Sequence, residues 1–202
     1  MSGALAGVRV LEIGEGRPVA YAGKLLRDLG AEVMKSEPPE GDALRSYGPF
    51  PGDQPDLERS GLFLYLNAGK TSARLRLEES NDREIFQCLL QNADVLLHSF
   101  QPSMAKSLGL DYGTLGEAYP RLVVAVVTPF GSTGPYADWK AYAINAYAGS
   151  GVGQRVGSIE REPLNAPLDG AEMHHAAPQL ALAVVLALLD RDRTGNGQFV
   201  QA

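Results

Sequence analysis

The sequence has few residues suited to disulfides or metal sites. Its 202 residues include one cysteine, Cys88, and three histidines. A single cysteine excludes a disulfide within the chain and is typical of a reducing compartment, so we predict a cytoplasmic protein. Cys88 lies in the helical pattern IFQCLL, which predicts a core residue rather than a nucleophile. His174 and His175 are adjacent, and neighbours on a helix point about 100° apart, so we predict no metal site.

Basic residues and long apolar runs are also scarce. The 18 Lys and Arg are outnumbered by 24 Asp and Glu, giving a net charge of −6. This acidity argues against nucleic acid as a partner but is compatible with a local basic pocket for phosphates. The longest apolar run, residues 180–189, is too short to cross a bilayer and predicts a buried helix with no membrane partner. We also expect no signal peptide.

The first forty residues alternate between strand and helix patterns. Residues 8–13 form a β-branched apolar run, and Pro18 is typical of a first helical turn. Apolar residues then recur at helical spacing before a second strand pattern at residues 31–35. Such a strand–helix–strand unit predicts parallel strands. Because parallel sheets bind ligands at the carboxyl ends of their strands, the loops after Ile13 and Lys35 should border a site.

Two nucleotide-binding fingerprints are incomplete in this sequence. Gly14 and Gly16 follow the first strand, but Val19 stands where the dinucleotide fingerprint needs a third small residue. The GKT triplet at residues 69–71 lacks the P-loop glycine, since Leu64 occupies that position, and it precedes a strand pattern rather than a helix. Neither fingerprint identifies the ligand.

The remaining chain continues the alternation. Polar, turn-rich residues 46–62 predict an exposed loop over the site. Five or six strand candidates, counted over the whole chain, alternate with helices, and this pattern predicts an α/β fold with a parallel, Rossmann-like sheet and helices on both faces. The later strand patterns are residues 72–77, 93–100 (running into a loop) and 122–127, and the helical patterns are residues 81–92, 143–151 and a last segment that ends at Leu189.

Several motifs match one known family. The opening reads LAGVRVLEI and then LLRDLGAEVMKSEPPEGDALR, and the middle reads ADVLLHSFQPS, SLGLDYGTL and PRLVVAVVTPFGSTGPY. The final segment carries RDRTGNGQFV, of the form RxxTGxGQxV. In order and spacing these motifs resemble the family III CoA-transferases, the carnitine-dehydratase and bile-acid-inducible group. The resemblance covers essentially all 202 residues.

The resemblance implies a particular architecture. Residues 1–202 would be the N-terminal portion of the large domain, without the small domain and the returning C-terminal segment. Family members are about twice this long and form interlocked dimers. Either the chain is therefore a fragment, or a partner chain supplies the rest. We expect a homo- or hetero-oligomer with another family III chain.

The resemblance also implies a CoA site. Coenzyme A would be a substrate, exchanged between an acyl-CoA and a small carboxylic acid, with no metal. Phosphate contacts are expected from Lys70 and Lys140, although a solvated surface lysine is an equal alternative for Lys70. The implied CoA-binding residues are Lys70, Ser99, Phe100, Lys106, Lys140 and Tyr142.

Four positions of the implied CoA loop depart from the family pattern. Ser99 replaces an asparagine, Ser103 replaces a glycine, and Gln101 and Ser107 replace arginines. These changes should weaken phosphate binding, because charge-assisted hydrogen bonds are the strong ones. Lys106, one residue before the lost arginine, could partly substitute.

The implied mechanism needs a carboxylate nucleophile. In the family an aspartate near the start of the last helix attacks the acyl-CoA, which gives a mixed anhydride and then an enzyme thioester. Here that position is Met173; Glu172 is adjacent and Asp169 is four residues away. Glu172 is the candidate catalytic residue, because a one-residue slip in the preceding loop could place its carboxylate correctly.

The sequence leaves other functions open. The chain could be a catalytically degenerate, CoA-binding or structural half of a heteromeric or tandem family III enzyme. It could instead be a CoA sensor or an acyl-CoA racemase. The racemase hypothesis is weaker, since Tyr142 stands where racemases place a histidine base, and tyrosine has an intrinsic pKa of about 10.

Overall fold

Six parallel strands form one sheet in the computed structural model, which describes residues 3–158, 160–162, 164 and 170–202. The spatial order is β3-β2-β1-β4-β5-β6. This arrangement confirms the predicted parallel α/β fold. The strands are β1 (Arg9–Ile13), β2 (Glu32–Glu37), β3 (Thr71–Arg74), β4 (Val95–His98), β5 (Val123–Val126) and β6 (Phe199–Gln201).

Seven α-helices connect or follow these strands within the described residues. They are α1 (Arg17–Asp28), α2 (Gly61–Asn67), α3 (Ser80–Gln91), α4 (Pro102–Leu108), α5 (Tyr112–Ala118), α6 (Ala143–Gly149) and α7 (Ala171–Thr194). Short 3₁₀ turns lie at Ala43–Ser46, Pro51–Asp53 and Val152–Arg155.

Alternate residues of each strand enter two separate cores. On β1, Val10 packs with α1 and α7, whereas Leu11 packs with α3, α4 and α5. The same alternation on β5 sends Val123 to the first core and Val124 to the second. Both faces of the sheet are therefore covered by helices, as parallel sheets require.

Helix α7 is longer than the apolar run in the sequence predicts. It has 24 residues. Within the described part of the chain, it is the one helix whose length and composition would allow it to cross a membrane. Its inner face is buried against α1 and the sheet through Ala177, Leu180 and Val184. Leu182 and Leu186 are exposed on its outer face, so the prediction of a buried helix is correct for one face only.

Helix α3 corrects the prediction for Cys88. Its buried residues are Phe86 and Leu90, four apart, which turns Ile85 and Cys88 towards solvent. Cys88 is thus exposed rather than part of the core. The apolar pattern located this helix but not which of its faces is buried.

The segment at residues 46–62 contains more structure than the predicted loop. Helix α2 begins within it, where the Ser60 hydroxyl accepts a hydrogen bond from Phe63 N at 3.1 Å and caps the helix. Ser60 is fully buried, and its hydroxyl also donates to Leu44 O at 3.1 Å. Residues 71–74 then form edge strand β3.

The order of the strands reverses between β1 and β4. Both strands are hydrogen-bonded neighbours, yet the chain leaves them in opposite directions across the sheet. Loops diverge from such a switch point and open a crevice at the carboxyl ends. At this edge Ile13 is level with Ser36 of β2 and His98 of β4.

Candidate functional site

A cleft of about 2280 Å³ lies over the carboxyl ends of the strands. The loops after β1, β2, β3, β4 and β5 line it, together with α6 and the first turns of α7. This is the edge that the βαβ pattern predicts for ligand binding. The volume exceeds that of a typical small-molecule site and would accommodate an extended ligand.

Four ionisable side chains form a buried ionic network beneath the cleft. The network consists of Glu12, Lys35, Asp42 and Lys70. Lys35 Nζ lies 2.9 Å from Glu12 Oε1 and 2.7 Å from Asp42 Oδ2, while Lys70 Nζ lies 2.7 Å from Glu12 Oε2. Two carboxylates balance two ammonium groups, so the network is neutral, as burial of charge requires.

Gly23 of α1 makes room for this network. A Cβ atom at Gly23 would lie 1.9 Å from Glu12 Oε2 and 3.1 Å from Lys70 Nζ. The helix can therefore approach the Glu12 carboxylate only because position 23 has no side chain.

The two lysines of the network have opposite pKa shifts. Burial opposes the charge of Lys35, but the carboxylates of Glu12 and Asp42 outweigh it and raise the pKa of Lys35 above its usual value. Burial lowers the pKa of Lys70, and the nearby carboxylates, chiefly that of Glu12, only partly offset this effect.

Lys70, the predicted phosphate contact, is engaged by groups within the protein. Besides Glu12, its Nζ donates to Ala20 O at 2.8 Å and to Asn67 Oδ1 at 2.9 Å. An ammonium group has three hydrogens, and all three have protein acceptors. Lys70 is also absent from the residues that line the cleft. The sequence pattern located the lysine but not the carboxylate that it pairs with.

Ser99 connects two loops at the switch point. Its Oγ donates to Glu15 O at 2.8 Å and accepts from Glu15 N at 3.0 Å. Gly14 permits this approach, because a Cβ there would lie 2.5 Å from Ser99 Oγ. The predicted CoA-binding residue lines the cleft, but its hydroxyl is already engaged by the backbone of the β1–α1 loop.

Gln101 and Ser103 connect the same loop to the segment before α6. Gln101 Nε2 donates to Trp139 O at 2.8 Å, and Ser103 N donates to Asp138 Oδ1 at 2.8 Å. The positions at which this chain departs from the family pattern therefore make contacts within the protein. The Gln101 side chain and the Ser103 backbone N–H make these contacts, and neither residue supplies positive charge to the cleft.

Phe100 lines the cleft and is held by His98. The backbone N–H of Phe100 donates to His98 Nδ1 at 3.2 Å, and the two rings lie 5.8 Å apart between centroids. Burial lowers the pKa of His98 to about 4, so the imidazole is neutral and able to accept near neutral pH. The family comparison by motif did not identify His98, because only its neighbours carry the resemblance.

The remaining predicted CoA-binding residues separate into two places. Lys140 and Tyr142 both line the cleft, and Tyr142 is 78% exposed at the start of α6. Lys106 is exposed in the last turn of α4 and does not line the cleft. A hydrogen bond from Thr114 is the main cause that lowers the pKa of Asp111, and the charge of Lys106 contributes to the same effect. The structure thus brings Lys140 and Tyr142, but not Lys106, to the predicted site.

The first turn of α7 presents a glutamate to the cleft and a methionine to the core. Met173 is 8% exposed and packs with Ala20, Leu44, Phe63 and Leu66. Glu172 lines the cleft, and its Oε1 lies 4.0 Å from Arg17 Nη1. Asp169 lies outside the described residues. Met173, at the position expected for the nucleophile, therefore faces away from the cleft.

Other polar groups of the cleft were not identified from the sequence. Arg76 at the end of β3 pairs with Glu40 at 2.6 Å on the cleft wall. Ser36 and Thr128 also line the cleft, and their hydroxyls are buried without a hydrogen-bond partner among the described residues. Single serines and threonines carry no sequence signal that would reveal such a position.

No metal centre is found in the part of the chain that the structure describes. Within those ranges no group of three or more His, Cys, Asp or Glu side chains converges on one point. Among the cleft residues, His174 packs instead against the Tyr21 ring, with 5.5 Å between centroids.

The fold and the cleft together define a Rossmann-like ligand-binding domain, with strand order 3-2-1-4-5-6 and a cleft at its switch point. A family model described as "CoA-transferase family III" matches residues 5–202. The chain belongs to the family III CoA-transferases.

Similar proteins agree with this assignment. A "Succinyl-CoA:(R)-benzylsuccinate CoA-transferase subunit BbsE" from Thauera aromatica is 38% identical over 180 residues, covering 89% of this chain and 44% of that protein. An "Acetyl-CoA:oxalate CoA-transferase" from Acetobacter aceti is 36% identical over 179 residues, covering 87% and 44% respectively. The chain spans about half the length of the curated relatives it matches.

A solved structure shares the fold at similar identity. The crystal structure of a CaiB/BaiF family protein from Brucella suis matches with a TM-score of 0.88 and 31% identity. The match covers 99% of this chain and 53% of the other.

Proposed function

We propose that this protein takes part in the transfer of CoA between an acyl-CoA and a small carboxylic acid, with this chain as the supporting half. The relatives named above are CoA-transferases, and BbsE is named as a subunit. A "Succinyl-CoA--L-malate CoA-transferase beta subunit" from Chloroflexus aurantiacus is also 32% identical to this chain. The partner would be another family III chain.

The first turn of α7 carries this proposal. Transfer through an enzyme-bound anhydride needs a carboxylate that is free to attack a thioester. Met173 provides no carboxylate, and its side chain packs in a core cluster. Glu172 reaches the cleft, but Arg17 lies 4.0 Å from its carboxylate. An adjacent guanidinium stabilises the carboxylate charge that the nucleophile would have to give up during attack.

The geometry also limits a slip in register. To bring a carboxylate to the place of Met173, the first turn of α7 would have to rotate by one residue, about 100°. That rotation would remove Met173 from Ala20, Leu44, Phe63 and Leu66 and expose an apolar side chain. Glutamate would also place its reacting atom about one carbon–carbon bond further out, a displacement that can cost about 10²-fold in rate.

The cleft still provides groups for binding CoA. Lys140 and Tyr142 line it on one side, and Phe100 lines the switch point. Ser36 and Thr128 also line the cleft. This half would therefore help to bind the substrate, while the partner chain supplies the nucleophile.

Trapping the acyl-enzyme tests the proposal. The complex of this chain with its family III partner is treated with hydroxylamine or borohydride during turnover of an acyl-CoA, and the modified residue is mapped by mass spectrometry. We expect a label on a carboxylate of the partner and none on this chain. Glu172→Gln should change the transfer rate by less than about threefold, as should the control Glu15→Gln at the same cleft.

Three results would contradict the proposal. A label on Glu172, with activity lost in Glu172→Gln but kept in Glu15→Gln, would make this chain a complete catalyst. A label on Asp169 would do the same. CoA binding with no transfer in any assembly would instead favour a CoA sensor.

A further inference from the structure

We propose that His98 is a positioning residue that fixes Phe100 at the wall of the cleft. This inference rests on the proposed function, because it assigns Phe100 to the binding of CoA. His98 ends β4, and Phe100 follows two residues later at the switch point. In the sheet His98 is paired with Ile13 of β1 and Val126 of β5, both of which carry apolar side chains.

The hydrogen bond defines the protonation state that this role needs. His98 Nδ1 accepts the N–H of Phe100 at 3.2 Å, so the proton of the neutral ring lies on Nε2. The side chain is 2% exposed, and burial in this setting disfavours the imidazolium. A neutral Nδ1 acceptor is therefore permanently available near neutral pH.

The contact fixes both the backbone and the ring of Phe100. The two rings are nearly parallel, at 29°, with 5.8 Å between their centroids. Phe100 is half-buried: part of its ring packs on the core beneath the sheet, and part of it faces the cleft. Without the acceptor, the Phe100 N–H would be left unpaired at the end of a buried strand, and the loop would move to satisfy it.

His98 also works alongside the neighbouring contact of the same loop. Ser99 is already held by the backbone of Glu15. Successive residues of the loop thus have separate partners. Ser99 is bonded to Glu15 of the β1–α1 loop, and Phe100 is bonded to His98 of β4. The position of the Phe100 ring then depends on His98 rather than on Ser99.

Two substitutions separate the acceptor from the bulk of the ring. His98→Asn keeps an oxygen acceptor near the place of Nδ1, and His98→Leu keeps apolar volume without an acceptor. Amide hydrogen exchange is measured at Phe100 in the intact chain. We expect exchange at least about tenfold faster in His98→Leu than in wild type or His98→Asn.

CoA binding provides the second readout. Calorimetry on the intact assembly should show CoA binding about tenfold weaker in His98→Leu, with His98→Asn within about threefold of wild type. In a Phe100→Ala background, His98→Leu should weaken CoA binding by less than about twofold, because the residue acts through the Phe100 ring.

The outcomes distinguish this inference from the proposed function. Unchanged exchange at Phe100 in His98→Leu overturns the positioning role, and so does a full tenfold loss in the Phe100→Ala background. Wild-type protein that binds no CoA overturns the assumed ligand, while hydrogen exchange still decides the role of His98. If His98→Leu does not fold, the ¹⁵N shifts of wild-type His98 decide: a proton on Nδ1 refutes the contact.

Discussion

The buried ionic network allows a sharp prediction for Lys70. In Lys70→Met the ammonium is replaced by an apolar group of similar length, and Glu12 keeps only Lys35 as a partner. The network then carries a net charge of −1 at a position where Glu12 is fully buried. Removing one partner of a buried ion pair typically costs about 3–5 kcal/mol. We expect a loss of that size in the free energy of unfolding.

Urea denaturation measures this loss against matched variants. Lys106→Met removes an exposed lysine outside the cleft and should change stability by less than about 0.5 kcal/mol. In the double variant Glu12→Gln, Lys70→Met both charges are absent, so the loss should be smaller than the sum of the single losses by about 1–3 kcal/mol. Lys70→Arg, which keeps the charge, should be less damaging than Lys70→Met.

One result would refute the structural role of Lys70. If Lys70→Met unfolds within about 1 kcal/mol of wild type yet binds CoA much more weakly, Lys70 is a phosphate contact as the family resemblance implies. The buried ionic network would then rearrange when CoA binds.

Three further predictions concern other parts of the fold. Arg45 bonds both oxygens of Glu37 and, against the effect of burial, holds the pKa of Glu37 below its usual 4.5. The stability that this pair contributes is present above pH 4.5 and is lost as the pH falls through the lower pKa of the folded state. Arg45→Met should therefore flatten the acid side of the curve of stability against pH. An unchanged slope would contradict this. Gly23→Ala should destabilise the protein by about 1–3 kcal/mol in urea, despite the better helix propensity of alanine, and a stabilised variant would refute the close approach of α1 to Glu12. Cys88 should react with a thiol reagent in the native protein as fast as in denatured chain at equal pH, whereas slow native labelling would place it in the core.

The sequence was sufficient for the fold class and for the edge of the sheet that carries the cleft. Apolar runs with turns between them specify strands and helices locally, and chirality then restricts how parallel strands connect. The loops after Ile13 and Lys35 could be assigned to one edge on these grounds, and the family followed from motifs that run through the whole chain.

Only the tertiary structure decided what the candidate site residues do. Lys70 and Glu12 are 58 positions apart, and no local pattern indicates that the sheet and α1 enclose both. The rotation of α7 likewise decides that Met173 enters the core and Glu172 the cleft, since adjacent helical positions differ by about 100°. Charge pairing and helix rotation depend on contacts between distant segments, so the sequence located these residues and the packed structure fixed their partners.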